Sequence, residues 1–289
     1  MDTRFLQTFL FVAEHGSLAE ASRRLNITPA AAAQRIQALE AEIGQPLLVR
    51  AGRTVRPTEA GLSILSQSRR IVSDVRQLRN LAASDQLAGE LRLGAISTAL
   101  TGLLPATLRE LRTTLPEIEV FLLPGTSNQL YPQLTDGVID AALLVRPPFE
   151  LPKTLEWRLM RSEPLVFLCP SAWRREDIPT LLATRPFIRY DRSNWGARLS
   201  EDYLHAMSYN PQEWLELDSL EAITVLVSNE LGVSIVPDWP RPWPEGIDVA
   251  RLPLPEATRP REIGFIWPRA SPAARLIKLI AERMNKTGP

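Results

Sequence analysis

Apolar positions change their period twice along this chain. Phe5, Phe9 and Val12 recur at helical spacing within residues 3–15, and Gly16 follows where such a helix ends. The stretch SLAEASRRLNITPAAAAQRIQ, Ser17 to Gln37, then predicts two short helices and a tight turn. Ser17 with Glu20 reads as a capping box, the hydroxyl accepting a backbone N–H while the carboxylate reaches back. Leu18, Ala19, Ala21 and Leu25 give the first helix its apolar face, and Asn26-Ile27 breaks it. Thr28-Pro29 restarts a helix with Thr at the N-cap and Pro at the first helical position. Gln and Arg on that second helix can reach base edges or phosphates, so the pair predicts a helix-turn-helix. On this stretch alone, an ordinary helical hairpin in a globular core is the alternative.

Beyond it, Arg50, Arg53 and Arg56 fall at steps of three in LVRAGRTVRPTEAG, with Gly52 to turn the chain and Val55 placed for a short ribbon. This predicts a basic wing that neutralises phosphates. Pro57-Thr58-Glu59 opens a further helix that runs to about Leu87. Its Ile64, Ser68, Ile71, Val75, Leu78 and Ala82 alternate by four and three, the spacing of a coiled-coil seam. Packing of that stripe on the helix's own domain is the alternative.

From Glu90 the period shortens. ELRLGAIS, IEVFLLPG, VIDAALLV, PLVFLC, PFIRY, WLELD, GVSIVP and IGFIWP read as strands. Helical patterns lie between them at 103–114, 128–136, 197–207, 219–229 and 272–284. Such alternation predicts an α/β architecture with largely parallel sheets, as one large sheet or two lobes.

Composition narrows the partners. The 33 basic and 33 acidic residues cancel, so no global attraction to nucleic acid exists. The sign is local: residues 23–56 hold six arginines (23, 24, 35, 50, 53 and 56) against Glu40 and Glu42. The single cysteine, Cys169, excludes an internal disulfide, and two distant histidines offer no zinc-ligand spacing. No metal and no cofactor are expected. The N-terminus, with Asp2 and Arg4, does not read as a secretory leader, and no apolar run reaches membrane-spanning length. A cytoplasmic protein without membrane partners is expected.

The N-terminal residues carry a resemblance. FLQTFLFVAEHGSLAEASRRLNIT, then QRIQALEAEIGQPLLVR, then RPTEAG resemble the LysR-type transcriptional regulators in order, spacing and chain position. The resemblance implies a winged helix-turn-helix at 1–57, a dimerisation linker helix at 58–88 and an effector-binding domain at 89–289. That last part would be built like a type 2 periplasmic binding protein, with lobe one at about 90–161 and 268–289 and lobe two at about 162–267. LTDGVIDAALL and LGVSIVP are the matching C-terminal motifs. The family usually has Gly where this chain has Glu230, so the end of the helix at 219–229 is expected to differ. The family also commonly has hydroxyls at the positions of Ala30 and Ala33, and basic residues at those of Gln34 and Gln37. Their replacement shifts the expected weight of DNA contact onto Arg35 and the wing. The candidate DNA-binding residues are Ser17, Thr28, Pro29, Ala30, Ala31, Ala33, Gln34, Arg35, Gln37, Arg50, Arg53, Arg56 and Thr58.

Ligands of open α/β sheets bind at the carboxyl ends of strands, beside helix N-termini. Those ends carry Ser97-Thr98, Gly125-Thr126-Ser127, Asp191, Ser193 and Asn194, and Asp218-Ser219. Each group taken singly also reads as an ordinary N-cap. The resemblance points to the same loops as the effector cleft, with Ser97 and Thr98 foremost. It implies a small effector, often a carboxylate, for which Arg146 and Arg189 with Tyr190 are candidate partners. Trp195 could wall the ligand or simply fill a core. Promoter DNA, a second or fourth copy of the chain and RNA polymerase are the expected partners. An α/β enzyme is the first alternative, but no Gly-x-Ser-x-Gly elbow or phosphate loop is present. A DNA-packing protein is the second, and zero net charge argues against it.

Overall fold

A computed structural model describes residues 1–52, 54–82, 89–255 and 259–287. The chain divides into two compact units, residues 1–86 with 135–138 and residues 87–134 with 139–289.

The first unit is built from α1 (Thr3–His15), α2 (Leu18–Arg24), α3 (Pro29–Ile43), β1 (Leu48–Ala51), β2 (Thr54–Pro57) and α4 (Glu59–Ala82). Leu6 and Phe9 of α1 meet Ile36 and Leu39 of α3 and Leu47 in a small buried core. Ile64, Leu65, Ile71 and Val72 of α4 pack around it. Ile64 and Ile71, members of the stripe read from sequence as a dimer seam, pack against this core and stay half-buried. Further along α4, Leu78 is exposed. Residues 83–88 of the expected linker lie outside the described residues. Gly61 sits where a Cβ would fall 2.1 Å from the Leu47 carbonyl oxygen, so only glycine lets α4 approach the strand so closely.

The second unit begins with β3 (Gly89–Ala95), α5 (Ser97–Gly102), α6 (Leu104–Thr114), β4 (Ile118–Pro124), α7 (Ser127–Thr135), β5 (Ala141–Val145) and β6 (Leu155–Glu163). It continues through β7 (Leu165–Pro170), α8 (Ile178–Thr184), β8 (Phe187–Tyr190), α9 (Arg198–Ala206), β9 (Glu213–Leu217) and α10 (Leu220–Ser228). β10 (Ser234–Pro237), β11 (Val249–Pro253), β12 (Arg261–Pro268) and α11 (Ala274–Thr287) complete it.

Lobe one is a five-stranded sheet in the order β4-β3-β5-β12-β6. Its β3, β4 and β5 are parallel, while β12 runs antiparallel to both β5 and β6. Lobe two holds an antiparallel β10-β7-β11 sheet and a parallel β8-β9 pair, joined by a parallel bridge between Phe187 and Val233. Buried clusters around Phe167 and Leu181 on one side, and Ile188 and Trp239 on the other, fill its two faces.

The expectation of largely parallel sheets needs correction: each lobe combines parallel and antiparallel pairing. The chain leaves lobe one along β6 and returns along β12, and a strand that returns must run against the one that left. Sequence boundaries that gave 162–267 to lobe two also shift, because all of β12 pairs within the lobe-one sheet. β6 and β11 escaped the sequence reading since both are edge strands with alternating exposed positions and charged residues. The helix α10 ends with Glu230 in left-handed backbone, φ 59°, and the Leu231 N–H reaching the Leu226 carbonyl at 3.2 Å. The helix thus keeps the left-handed exit that glycine would favour, with glutamate bearing it.

Candidate functional site

In the first unit, Ser17 Oγ accepts from the Glu20 N–H at 3.3 Å and Thr28 Oγ1 from the Ala31 N–H at 3.2 Å. Both hydroxyls start their helices as expected. The Glu20 carboxylate does not reach back, however: Arg23 and Arg24 hold it, the latter at 3.1 Å. Thr58 donates to the Pro46 carbonyl at 2.7 Å and accepts from the Gly61 N–H at 3.0 Å, fixing the start of α4.

The residues of α3 sort by helical period. Ala32, Ile36 and Leu39 are buried, whereas Ala30, Gln34, Gln37 and Ala41 form an exposed stripe, with Thr28 and Pro29 exposed at its start. Ala31 and Ala33 flank it, half-buried. The stripe carries two carboxamides and two methyl groups and no charge. Ala41 was not singled out in the sequence, although the spacing 30, 34, 37, 41 carries it. Arg35 lies to the side, with Nη1 3.5 Å from Thr8 Oγ1 of α1.

The ribbon of β1 and β2 pairs Arg50 with Val55 and Val49 with Arg56. Arg50 and Arg56 therefore lie on opposite faces, since side chains alternate along a strand. Both are exposed, and neither has a carboxylate partner among the described residues. Arg53, between them, lies outside the described residues. By contrast Arg4 is tied to Asp2, whose carboxyl its side-chain hydrogen bond lowers to about 2. Glu40 Oε1 accepts from the Leu47 and Leu48 N–H groups at 2.7 and 3.1 Å, tying α3 to the root of the wing.

In the second unit, a cavity of about 420 Å³ opens between the lobes. Ser97, Thr98, Gly125, Thr126, Ser127, Tyr190, Asp218 and Ser219 all line it, as strand-end logic predicted, together with Asn194 and Trp195. Several of these groups have structural partners. Ser127 Oγ accepts from the Val145 N–H at 3.0 Å, Ser219 Oγ from the Ala222 N–H at 3.1 Å, and the Thr126 N–H donates to Gln129 at 3.0 Å. Ser97 donates to Glu221 at 3.1 Å, a bond that joins the two lobes. Trp195 stacks edge-to-face on Tyr131 and Phe149 of lobe one, with ring centroids 5.8 and 5.6 Å away.

Three predicted residues do not reach the cavity lining. Arg146 is exposed and pairs with Glu262 of the neighbouring strand at 2.7 Å. Arg189 adjoins Tyr190 on β8, so with Tyr190 facing the cavity it must face the other way. There it binds Glu213 of β9. Ser193 bonds Asp191 Oδ1 through its N–H at 2.8 Å, and its carbonyl accepts from Asn128.

The arginine that does line the cavity is Arg261, at the start of β12. Its Nη2 donates to Thr98 Oγ1 at 3.3 Å, and its Nε and Nη2 hold Glu163 Oε2 at 2.7 and 2.5 Å. Both partners are buried. Burial pushes the Glu163 carboxyl above its ordinary range, against the opposing pull of Arg261. Burial likewise raises the Tyr190 phenol. Gly196 admits this arrangement, because a Cβ there would lie 2.9 Å from Arg261 Cδ. Sequence reasoning missed Arg261, Glu163 and Glu221. The first two are far apart in the chain and meet only through the β6–β12 register, and Glu221 reads simply as a first-turn helix acid. Among the described residues, no cluster of His, Cys, Asp and Glu could hold a metal, and no helix is long and apolar enough to cross a membrane.

Comparisons with known proteins match both units. The family model described as bacterial regulatory helix-turn-helix protein, lysR family, covers residues 3–62, and that of the LysR substrate binding domain covers 84–287. The HTH-type transcriptional regulator YnfL of Escherichia coli is 32% identical over 295 residues, spanning 96% of this chain and 97% of that protein. The HTH-type transcriptional regulator IlvR of Caulobacter vibrioides is 32% identical over 293 residues, spanning 98% of each. Among solved structures, a full-length OxyR variant from Pseudomonas aeruginosa superposes with a TM-score of 0.73 at 22% identity, covering 98% of this chain and 94% of that one. Full-length CbnR in complex with its target DNA superposes with a TM-score of 0.67 at 23% identity, covering 98% and 100%.

Proposed function

The chain belongs to the LysR family of DNA-binding transcriptional regulators, and from that premise we propose how its two units divide the work. The exposed stripe of α3 enters the major groove, where Gln34 and Gln37 offer carboxamides to base edges and Ala30 and Ala41 let the backbone approach. Arg50 and Arg56 meet phosphates on either side of the ribbon. Two or four copies bind an imperfect palindrome, and RNA polymerase is the further partner. A small molecule in the interlobe cavity changes the geometry of the assembly on DNA by binding one arrangement more tightly than another.

The observation that carries this reading is the cavity itself. It is lined by hydroxyls, an open carboxamide and a buried arginine, all converging from the ends of strands in both lobes. In this reading the site binds its ligand without turning it over. The test is fluorescence anisotropy of labelled promoter DNA with the full-length protein, across a panel of small metabolites. A compound that shifts the DNA-binding curve, and whose effect disappears in Thr98→Val, bears the reading out. A compound that shifts the curve equally in wild type and Thr98→Val places the effector elsewhere.

A further inference from the structure

The charges around the interlobe cavity do not suit a plain carboxylate. Three charged side chains line it: Arg261, Asp218 and Glu221. The guanidinium of Arg261 is already engaged, with Nε and Nη2 on the buried Glu163 carboxylate at 2.7 and 2.5 Å. Glu163, which Arg161 also approaches at 3.5 Å, thereby offsets part of the positive charge behind the wall. Asp218 and Glu221 remain, and neither has a cationic partner among the described residues. Glu221 accepts only hydroxyl protons there, from Ser97 at 3.1 Å and Ser219 at 3.4 Å.

Acids at the start of α10 are ordinary company for a helix N-terminus, so the pair alone identifies nothing. A separate group points to a ligand. Asn194 lines the same cavity and is only 7% exposed, yet its carboxamide makes no hydrogen bond among the described residues. Its donors and acceptor therefore stand open to the cavity, where a polar atom of a bound molecule can take the place of water. Hydrocarbon from Ile96, Leu100, Leu220 and the Trp195 ring shares the rest of the wall with hydroxyls such as Thr98, Thr101 and Thr126 and the Gln129 carboxamide.

We propose that the effector of this protein carries an ammonium group, seated against Glu221 and Asp218, with Asn194 bonding an adjacent polar atom and the hydrocarbon of the ligand against Ile96, Leu100 and Trp195. The inference rests on the reading of this cavity as the effector site. An ammonium adds an ion pair at Glu221, where the hydroxyls of Ser97 and Ser219 bring hydrogen bonds but no charge. A carboxylate brings a third negative charge beside exposed Asp218 and half-buried Glu221, and both repel it.

Calorimetric titration of the full-length protein with matched pairs tests it: butylamine against pentanoate, and phenethylamine against 3-phenylpropanoate. The expected result is binding by an amine, with its carboxylate twin weaker by about tenfold or more. Glu221→Gln and Asp218→Asn should each weaken the amine, the former by about tenfold. Two charge-removing variants at different backbone positions separate loss of the site from a folding defect in either one. A carboxylate that outbinds its amine twin and loses affinity in Asn194→Leu overturns the ammonium assignment, while leaving the cavity as the effector site. Amine binding unchanged in Glu221→Gln, Asp218→Asn and Asn194→Leu alike overturns both readings, because the ligand then sits elsewhere. Failure of both amines to bind at about 10 mM overturns the ammonium assignment, since that concentration detects even affinities near the weakest measurable range.

Discussion

Arg261 and Glu163 stand opposite one another on β12 and β6, the two strands that carry the chain between its lobes, with Nη2 2.5 Å from Oε2. Removing one member of such a buried pair strands the other's charge. Glu163→Ala should cost about 3–5 kcal/mol of stability, measured by urea unfolding. The pair also sets a pH dependence. Burial raises the folded-state pKa of Glu163 above its unfolded value near 4.5, so the folded state binds the proton more tightly. Its contribution is therefore fully present below that unfolded value and lost as pH rises through the folded one. Melting temperatures of wild type should fall relative to Glu163→Gln over that rise, and parallel curves would contradict the shift.

The close approach of α4 to Leu47 makes Gly61 intolerant of any side chain. A Cβ 2.1 Å from a backbone oxygen cannot be relieved by a rotamer change. Gly61→Ala should destabilise the DNA-binding unit by about 3 kcal/mol, with weaker DNA affinity following from unfolding. Circular dichroism melts would report it.

At the end of α10 the sign reverses. Glu230 holds a left-handed conformation that disfavours a side chain, and glycine would adopt it freely. After allowing for the greater freedom of glycine in the unfolded chain, Glu230→Gly should stabilise the protein by about 0.5–1 kcal/mol. A denaturation midpoint that moves downward would refute the argument.

Cys169 is fully buried within β7, and burial raises its thiol to about 11. Thiolate is the reactive form, so little of it exists near neutrality. Iodoacetamide should label the native protein far more slowly than the urea-unfolded chain. Brief peroxide treatment should leave DNA binding unchanged, as gel shift would show.

On the wing, Arg56 has no acidic partner among the described residues and faces outward with Thr54. Arg56→Ala should weaken binding to all DNA sequences alike. Removing one arginine–phosphate pairing should reduce the slope of log affinity against log salt by about 0.9. An unchanged slope would mean that Arg56 does not neutralise a phosphate.

Local rules made the first unit legible. The hydroxyls of Ser17 and Thr28 announce helix starts within three residues, and the turn at Asn26 lies in the same short window. Strand ends were equally readable in the cavity, where Ser97, Thr98 and Ser219 follow or precede elements whose type the pattern gives. Pairings across distance were not. Arg189 looked like a ligand partner until the register of β8 with β9 turned it onto Glu213. Arg261 gave no sign of its role, because the carboxylate that positions it lies 98 residues earlier.

Through one carboxylate oxygen, Glu40 fastens α3, the helix proposed to enter the groove, to the N–H groups of Leu47 and Leu48 at 2.7 and 3.1 Å, where the wing begins. The reading head is accordingly a single stiff stamp: the offset between its base-reading edge and its phosphate grip is set before DNA arrives. A base pair inserted inside one half-site should therefore cost far more affinity than a base-pair substitution at the same place.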